Sequence, residues 1–569
     1  MATVIIVGIL ATLFLYGLYQ WLLPKPLPDI PYNNASAKNI FGDIPELVKE
    51  VSKTGDFADY IRKQSRKHNS PITQLFMTPF GKPSLLVCDF REAQDVLLHR
   101  GKEFDRSRFV GELFYGTGKN HHITMKTGPE WKARRKLLQD LMSPSFLHNV
   151  AAPTVYASSL NILKLWELKA GLADGRPFLA SKDIFHAALD AVLAFTFGIG
   201  FKEDATTRQI QLMQSLERGK IAAGGADVPI KFPTATLGTA ISSILFLTAS
   251  VERVRGAASM RLKWWFIQKE TGFKKAQKDK DEAIHGEIEK AIQARQRNGQ
   301  GGNDAWVQSA VDHMVDREVR VAEKEGRQSN PHSPDMLEEI LGFIIAGHDT
   351  TSTTLCWGVK LLADHPEVQQ RVRDDMQAAF PEAKAEGRLP SVTEITKASI
   401  PYLEATMEEI LRVGNTVPIT DRDAVQDTTL LGHFVPKGTQ VFFLANGPSF
   451  LEPAFDIEES RRSPHARDGK ARVWESEDIG AFKPERWLTE ENGKEVFDSQ
   501  AGPDMPFGLG TRGCYGRRLA YLELRLLLTV FLWKFEFQKC PAELSRYDAV
   551  DGVVHGPKDC YVRLRKVAA

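Results

Sequence analysis

Apolar positions begin with one long run and then recur at helical spacing through most of the chain. Residues 3–23 form a run of 21 without a charged side chain. At about 1.5 Å per residue, such a run crosses roughly 30 Å of hydrocarbon. The proline-rich stretch at 24–31 follows and is typical of a stiff hinge. The pattern predicts an N-terminal transmembrane anchor at 1–23, a hinge at 24–38 and a globular remainder at 39–569.

A cleaved signal peptide is the competing interpretation of the first segment. It requires a basic leading region, a shorter apolar run and a small-residue cleavage site, none of which is evident in this sequence. Lys25 and Lys38 lie on the C-terminal side of the run. The positive-inside rule therefore predicts a single-pass protein whose globular domain is cytosolic.

Helical periodicity predicts several elements farther along the chain. The longest begins at Ser333 and Pro334, a hydroxyl cap followed by proline, and continues as a buried apolar helix to about residue 363. The sequence A-G-H-D-T-T at 346–351 interrupts it. Because glycine and a buried acid weaken such a helix, we expect a chemical role for this stretch.

Three other helical segments and one ambiguous region follow from the same pattern. Helices are predicted at 129–141 and 402–413, and a solvated amphipathic helix at 274–297. The apolar stretch at 232–248 is too broken for a second membrane span, and the aromatic residues at 264–266 stand in a basic context. Two interpretations are open for this region: contact with a membrane surface, or closure of the core.

Composition narrows the class of protein. A chain of 569 residues with 43% hydrophobic content can bury a large core. A net charge of +1 gives no reason to expect nucleic acid as a partner. Five cysteines without paired spacing argue against a disulfide framework and suit a reducing compartment.

One of these cysteines, Cys514, lies in the loop F-G-L-G-T-R-G-C-Y-G at 507–516. The loop suits a thiolate ligand of haem iron, because backbone N–H groups and shielding from water stabilise such a ligand. Its glycines permit tight turns and a close approach to a flat ring. Arg512 offers a charged fork to a haem propionate, and Phe507 can cover the sulfur side of the ring.

The loop matches F-x-x-G-x-R-x-C-x-G, the haem-binding signature of the cytochrome P450 family, at Phe507, Gly510, Arg512, Cys514 and Gly516. The chain thus resembles this family of haem-thiolate monooxygenases. The resemblance implies haem b (iron protoporphyrin IX) with Cys514 as the metal ligand. It also implies the cytochrome P450 fold, mainly α with a small β lobe (α+β), here preceded by one N-terminal transmembrane helix.

The resemblance gives the A-G-H-D-T-T stretch a role. In these monooxygenases the long helix crosses the oxygen-binding face of the haem and opens locally at the glycine. Thr350 would then hold dioxygen and ordered water, and Asp349 would relay protons. The alternative for Thr350 is a hydroxyl bonded back to its own helix.

Two further motifs match the family. E-x-x-R at Glu409 and Arg412, with Arg486 from a later F-K-P-E-R-W run, resembles the structural charge triad beneath the haem. W-x-x-x-R at Trp131 and Arg135 places two donors on one helix face, where both could reach a haem propionate.

Two other features lie outside these motifs. Arg422 occupies a position where the family often supplies another propionate partner. A polar insert at 452–480 precedes Arg486, and its composition predicts a solvated loop.

The resemblance implies a monooxygenase that oxidises an apolar small molecule with O2 and electrons from NADPH, delivered by a flavoprotein NADPH-cytochrome reductase. The anchor indicates the endoplasmic reticulum membrane, and the style of the sequence resembles fungal enzymes of secondary metabolism. Two alternatives are an oxygen-independent haem-thiolate isomerase or dehydratase, and a non-enzymatic haem sensor. The intact Asp349–Thr350 pair favours the monooxygenase over both.

Overall fold

A computed structural model describes residues 2–217, 224–257, 259–298, 306–467, 472–474 and 477–567. The helices are α1 (Ala2–Leu22), α2 (Asn34–Ala37), α3 (Ile44–Thr54), α4 (Phe57–His68), α5 (Phe90–His99), α6 (Arg108–Leu113), α7 (Tyr115–Gly118), α8 (Pro129–Leu137), α9 (Pro144–Phe146), α10 (Ala152–Ala173), α11 (Ser181–Phe197), α12 (Ala205–Gln214), α13 (Thr239–Glu252), α14 (Met260–Ile267), α15 (Thr271–Asn298), α16 (Ala310–Glu325), α17 (Pro334–Asp364), α18 (Pro366–Ala379), α19 (Pro381–Ala385), α20 (Val392–Lys397), α21 (Pro401–Gly414), α22 (Pro464–Arg467) and α23 (Arg517–Lys534). The strands are β1 (Ile72–Leu75), β2 (Ser84–Val87), β3 (Phe104–Arg106), β4 (Phe178–Leu179), β5 (Ile419–Ala424), β6 (Thr428–Leu430), β7 (His433–Val435), β8 (Gln440–Leu444), β9 (Leu488–Glu491), β10 (Lys494–Phe497), β11 (Phe535–Gln538), β12 (Ala549–Asp551), β13 (His555–Pro557) and β14 (Tyr561–Lys566). The predicted class, mainly α with small sheets, is confirmed.

The described parts of Met1–Ser107, Val417–Ala481 and Gly502–Gly513 form one compact unit, the sheet unit. Its main sheet has the order β1-β2-β8-β5-β3, in which β2 and β8 are parallel and the other pairs antiparallel. Strand β2 is buried throughout, as expected of a strand that is covered on both faces. Strands β6 and β7 meet at Leu431 and Gly432, whose φ angles of 47° and 78° suit a type I′ hairpin turn.

The described parts of Arg108–Thr416, Phe482–Ala501 and Cys514–Ala569 form a second compact unit, the helical unit. Helix α17, with 31 residues, is its longest described helix and packs most extensively against α11. Its predicted start is confirmed: the Met336 N–H donates to Ser333 Oγ at 3.3 Å, and Pro334 occupies the first turn. Helices α8, α15 and α21 also form, each within a few residues of its predicted bounds.

Two glycines of α17 lie where neighbouring helices pack closely against it. A Cβ on Gly347 would lie 2.5 Å from Val192 Cγ2 on α11, and one on Gly358 would lie 3.2 Å from Ile410 Cδ1 on α21. Helices can approach this closely only where a side chain is missing. The structure also corrects an expectation, because α17 runs through Gly347 as continuous α-helix and does not open there.

The ambiguous region near residues 232–266 divides into buried and exposed parts. Within 232–248 the structure has only the first part of α13 in helical form, and one face of that helix is buried. On α14, Trp264 is fully buried, whereas Leu262, Trp265 and Phe266 are 57%, 51% and 56% exposed. Trp264 thus closes the core, and three large apolar side chains of the same short helix face outward.

Most described residues of the polar insert at 452–480 are exposed and lie in loops, as predicted, whereas a few are buried; residues 468–471 and 475–476 lie outside the described residues. Arg462, Ser463 and Ala466 are buried, and their neighbours form α22. The contacts that bury them are made with α5 and its flanks within the sheet unit. Arg462 and Ser463 thus pair with a neighbouring helix, whereas most other described residues of the insert are exposed to solvent.

Among the described residues, one helix is long and apolar enough to cross a membrane, at Thr3–Leu22. This agrees with the predicted span to within a residue at its C-terminal end. The division into anchor, hinge and catalytic domain at residues 23 and 38 stays a prediction.

Replacing Gly347 with alanine is expected to lower the stability of the helical unit. The new Cβ overlaps Val192, and such overpacking costs about 1–3 kcal/mol. Gly286→Ala on α15 is the matched control: nothing lies within 4 Å of a Cβ there, so alanine is expected to stabilise by up to about 1 kcal/mol. Thermal denaturation of both variants measures the difference. Equal melting temperatures would contradict the packing argument.

Candidate functional site

Cys514 is exposed, whereas the other four cysteines are buried. It stands just before α23, and the backbone N–H groups of Gly516 and Arg517 donate to its Sγ. Although the residue as a whole is exposed, the protein atoms packed around its sulfur raise the pKa of Cys514, while these N–H groups and the charge of Arg135 oppose the rise. The sulfur therefore has the donors that a thiolate ligand needs, as the loop sequence predicted.

The turn before Cys514 depends on two glycines. Gly508 and Gly510 have φ angles of 60° and 68°, in the left-handed region. A Cβ on Gly510 would also overlap the carbonyl oxygen of Leu97 at the end of α5. Gly510 thus lets the turn rest on α5. For Gly516 the structure shows no crowding, since the Cβ would meet only Cys514 Sγ at 4.0 Å.

Two arginines, Arg422 buried and Arg106 partly buried, face one another across strands of the sheet unit. Arg106 on β3 is directly opposite Arg422 on β5, so their side chains lie on one face of the sheet. Burial and, to a smaller extent, the charge of Arg106 lower the pKa of Arg422 to about 10. Like charges in this arrangement are unfavourable unless an anion joins them, and Asp421 and Asp105 offset only part of the cost.

These arginines fit a carboxylate ligand such as a haem propionate. Arg422 Nη1 donates to its neighbour's carbonyl, Asp421 O, at 2.7 Å. Arg106 Nη2 donates at 3.5 Å to the carbonyl oxygen of Arg512, in the turn before the cysteine. Sequence reasoning named Arg422 and Arg512 as propionate partners, which stays a prediction, and did not name Arg106, the last residue of β3. The pairing depends on strand register, which the sequence did not reveal.

Trp131 and Arg135 lie on α8 in the helical unit, next to Tyr515. Trp131 is 7% exposed, and the Arg135 guanidinium lies 5.6 Å from the centre of its ring and 4.3 Å from that of Tyr515. Burial lowers the pKa of Arg135. The cation is thus held against two aromatic rings. That both donors reach a propionate stays a prediction.

The A-G-H-D-T-T stretch has a defined local arrangement. Thr350 Oγ1 donates to the Ala346 carbonyl at 2.8 Å, so its hydroxyl is bonded back to its own helix, as the alternative interpretation described. Burial raises the pKa of the Asp349 carboxyl, and the neighbouring His348 opposes this. His348 itself is fully buried and bonds through Nδ1 to Ile344 O at 2.5 Å. The catalytic roles of Asp349 and Thr350 stay predictions.

Glu523 is a buried acid that sequence reasoning missed. It lies on α23, is 4% exposed, and accepts a hydrogen bond from Thr351 Oγ1 at 3.2 Å. Among the described residues, its Oε1 has no hydrogen-bond partner. Burial raises the pKa of Glu523 to about 8. The available signal was a single acid within the apolar run L-A-Y-L-E-L.

The Glu409–Arg412 pair forms as predicted. Arg412 donates to both oxygens of Glu409, at 2.8 and 2.6 Å, and both side chains are almost fully buried. Glu409 also accepts from the Lys483 N–H at 2.8 Å and from Trp487 Nε1 at 2.9 Å. Arg486 belongs to the same short turn as these two donors. The carboxylate is thus satisfied by four donors, which indicates a structural role.

His121, His122 and Glu339 lie close enough together to suggest a metal site. The Ile123 N–H donates to His121 Nδ1 at 3.3 Å, so in the neutral ring the proton is on Nε2, which faces Glu339 at 3.2 Å. Burial lowers the pKa of His121 to about 4 and keeps the ring neutral. Its Nε2 is therefore a donor to Glu339, and the cluster is a hydrogen-bond network that ties this loop to α17.

Comparison with known proteins agrees with the motifs. A family model described as Cytochrome P450 matches residues 37–447 and 474–562. The chain is 40% identical over 579 residues to the cytochrome P450 monooxygenase TRI13 of Fusarium sporotrichioides, covering 98% of each chain. It is 36% identical over 566 residues to the cytochrome P450 monooxygenase GME11363 of Pestalotiopsis microspora, again covering 98% of each.

A third relative and a solved structure extend the comparison. The chain is 37% identical over 569 residues to the cytochrome P450 monooxygenase xilC of Penicillium crustosum, covering 98% of this chain and 96% of that protein. The crystal structure of the cytochrome P450DA heme domain matches 96% of this chain and 99% of its own, with a TM-score of 0.64 and 18% identity. That likeness confirms the predicted fold.

Glu523→Gln is expected to change how stability depends on pH. The folded-state pKa of about 8 lies above the ordinary value of 4.5, so the folded protein binds this proton more tightly. The contribution of Glu523 to the free energy of unfolding is fully present below pH 4.5. It is lost as pH rises toward 8, at up to about 1.4 kcal/mol per pH unit. Glutamine does not titrate, so the variant does not lose this stability as pH rises. Thermal denaturation from pH 5 to 8 should show the natural protein weakening relative to the variant, and parallel curves would refute the assignment.

Proposed function

The chain belongs to the cytochrome P450 family, and on that premise we propose that it oxidises an apolar small molecule of secondary metabolism with electrons from an NADPH-cytochrome reductase. Monooxygenases of this family use O2, a small-molecule substrate and a redox partner. Cys514 carries the proposal: it is the exposed cysteine, it has two N–H groups aimed at its sulfur, and it lies in the signature loop.

The family implies a haem iron cofactor, and the residues fit it. Bound haem would supply the redox chemistry that activates dioxygen. The Cys514 thiolate would hold the iron and would donate electron density to it, while its N–H donors limit that donation. Arg106, Arg422 and Arg512 in the sheet unit, and Arg135 with Trp131 in the helical unit, are suited to the propionates.

Residues of α17 are suited to manage protons. The raised pKa of Asp349 brings this carboxyl closer to neutral pH, where it can both take up and release a proton. Thr350 would accept a proton from Asp349 at Oγ1 and pass its own hydroxyl proton onward, after turning away from Ala346 O. Glu523, bonded to Thr351, is a second buried group that titrates near neutral pH. We assign Asp349 and Thr350 the catalytic roles and Glu523 a supporting one.

The class of substrate rests on the relatives, which are fungal cytochrome P450 monooxygenases. Mass spectrometry of metabolites that accumulate when the gene is removed from its host would identify the substrate. Consumption of NADPH and O2 with a purified reductase would test the reaction type, since an isomerase or a sensor consumes neither.

We place the protein in the endoplasmic reticulum membrane with its catalytic part in the cytosol. The apolar helix at Thr3–Leu22 supports a single-pass anchor. The exposed side chains of Leu262, Trp265 and Phe266, with Lys269 Nζ 3.3 Å from the centre of the Trp265 ring, suit contact with a lipid surface.

Cys514→Ala is expected to abolish activity and most haem retention. The reduced, CO-bound natural protein should show the strongly red-shifted Soret band of thiolate ligation. Cys540→Ala is the matched control, because it removes a buried thiol that the site does not use; it should keep the band. An unshifted band in the intact, active protein would overturn the assignment of Cys514.

A basic surface on α8 is suited to the reductase. Lys132 and Lys136 are exposed there, whereas Arg134 pairs with Asp335 at 2.6 Å and Arg518, on α23, donates to Met142 O at 3.1 Å. Arg134 and Arg518 are thus less available to a partner than the two lysines. Complementary charge speeds the encounter of two proteins and makes its rate fall with salt.

Lys132→Glu with Lys136→Glu is expected to slow the first electron transfer severalfold at low ionic strength. Lys274→Glu with Lys278→Glu, the same double change at two exposed lysines of α15, is the control and should leave the rate unchanged. Stopped-flow reduction by purified reductase measures the rates. A difference that persists at high salt, or no difference at low salt, would exclude this surface as the docking face.

A further inference from the structure

The insert around residue 460 lies outside the residues that the family model matches. The family model matches on either side of residues 448–473 but not within them. The described part of this segment lies against α5 in the same sheet unit. The other end of α5 supports the turn before Cys514, so one helix has contacts with both.

Arg462 makes the most buried of these contacts. Its Nη1 and Nη2 donate to Asp89 Oδ1 and Oδ2 at 2.6 and 3.2 Å, and the two side chains are 5% and 3% exposed. Asp89 is also the N-cap of α5, where its Oδ1 accepts from the Glu92 N–H at 2.8 Å. The guanidinium therefore neutralises the residue that fixes the start of the helix.

Ser463 extends the contact by one turn. Its N–H donates to Glu92 Oε2 at 3.1 Å and its hydroxyl to Glu92 Oε1, and Glu92 is fully buried. Ser463 Oγ also accepts from Arg100 Nη1, just past the end of α5, at 2.9 Å. Without the insert, the buried Glu92 carboxylate would lose both of these donors.

Arg91 links the exposed side of α5 to the same segment. Its guanidinium binds both oxygens of Glu459 at 2.7 and 2.9 Å, and its Nη2 donates to Ala466 O at 2.6 Å. The first turn of α5 is thus held on two sides. Bidentate arginine contacts fix orientation as well as distance.

The last turn of α5 receives the cysteine loop. A Cβ on Gly510 would overlap Leu97 O, and Leu509 packs against the apolar cluster that contains Val96 and Leu97. A shift of α5 along its axis would therefore displace the turn at Gly510–Arg512. This turn carries Arg512 and leads into Cys514.

We propose that the insert is an internal brace for the cysteine loop, with Arg462 as its main positioning residue. By holding the first turn of α5, the insert fixes the surface on which Gly510 rests and so keeps the Cys514 thiolate in place as a ligand. The inference rests on the proposed function, because it concerns retention of the haem ligand. It adds a role for a segment that the family pattern does not include.

Arg462→Met tests the brace in the full-length holoenzyme. It keeps the length of the side chain and leaves Asp89 buried without its partner. The readout is the rate at which the reduced, CO-bound protein passes from the red-shifted to the unshifted Soret band at a fixed temperature below unfolding. We expect Arg462→Met to speed this conversion about tenfold, and Arg462→Lys, which keeps the charge, to restore much of the loss.

Lys169→Met is the matched control, since Lys169 pairs with Asp183 at 2.6 Å with both side chains 5% exposed, in the helical unit. It breaks a comparable buried pair that does not touch α5. If Lys169→Met and Arg462→Met speed conversion equally for the same fall in melting temperature, the brace is refuted and Arg462 has only a general structural role.

A second variant keeps the test decisive if Arg462→Met does not fold. Ser463→Ala removes one hydroxyl and should speed conversion by a smaller factor, and an unchanged rate would refute the brace. The spectrum of the reduced, CO-bound natural protein distinguishes the proposed function from the brace. Absence of the red-shifted band in that spectrum would refute the proposed function. A normal band with no effect of either insert variant would refute the brace alone.

Discussion

A thiolate can act as a metal ligand only where nearby donors stabilise its charge, and this constraint governs the structure around Cys514. The donors are the N–H groups of Gly516 and Arg517 at the start of α23. The hydrogen bonds to the sulfur therefore depend on the position of that helix. Farther along α23, Phe531 stacks on the buried Trp166 with ring centres 4.7 Å apart. The position of one sulfur atom thus depends on apolar packing several turns away.

Buried charges in this chain fall into two kinds. The Glu409 carboxylate is satisfied by donors from Arg412, Lys483 and Trp487, so nothing further needs to bind there. Arg106 and Arg422 instead place like charges opposite one another, and the pKa of Arg422 is lowered. An arrangement that disfavours its own charge gains from an incoming anion. The first kind stabilises the fold, and the second is suited to a ligand.

Local sequence predicted what depends on spacing along one element. The start of α17, the Glu409–Arg412 pair and the thiolate loop all follow from neighbours within a few residues. What it missed depends on register and docking between distant segments. Residues far apart in the chain meet in three places: Arg106 lies opposite Arg422, Thr351 bonds to Glu523, and Arg462 of the insert pairs with Asp89. A polar segment looks solvated in the sequence whether its partners are water molecules or another helix.

The A-G-H-D-T-T stretch shows how a motif that is read as one chemical unit divides into separate physical roles. Glycine is needed at position 347 because Val192 occupies the space that a larger side chain would fill. This packing requirement is independent of any catalytic role. His348 fills the core, and the second threonine binds Glu523 on α23. That leaves Asp349 and Thr350 as the residues whose chemistry packing does not explain. Asp349 Oδ1 lies 4.0 Å from Nε2 of the buried His348, and this attraction opposes the rise in the pKa of the carboxyl without cancelling it. An acid kept in a helix at such a cost is a physical reason to propose a functional role for this pair.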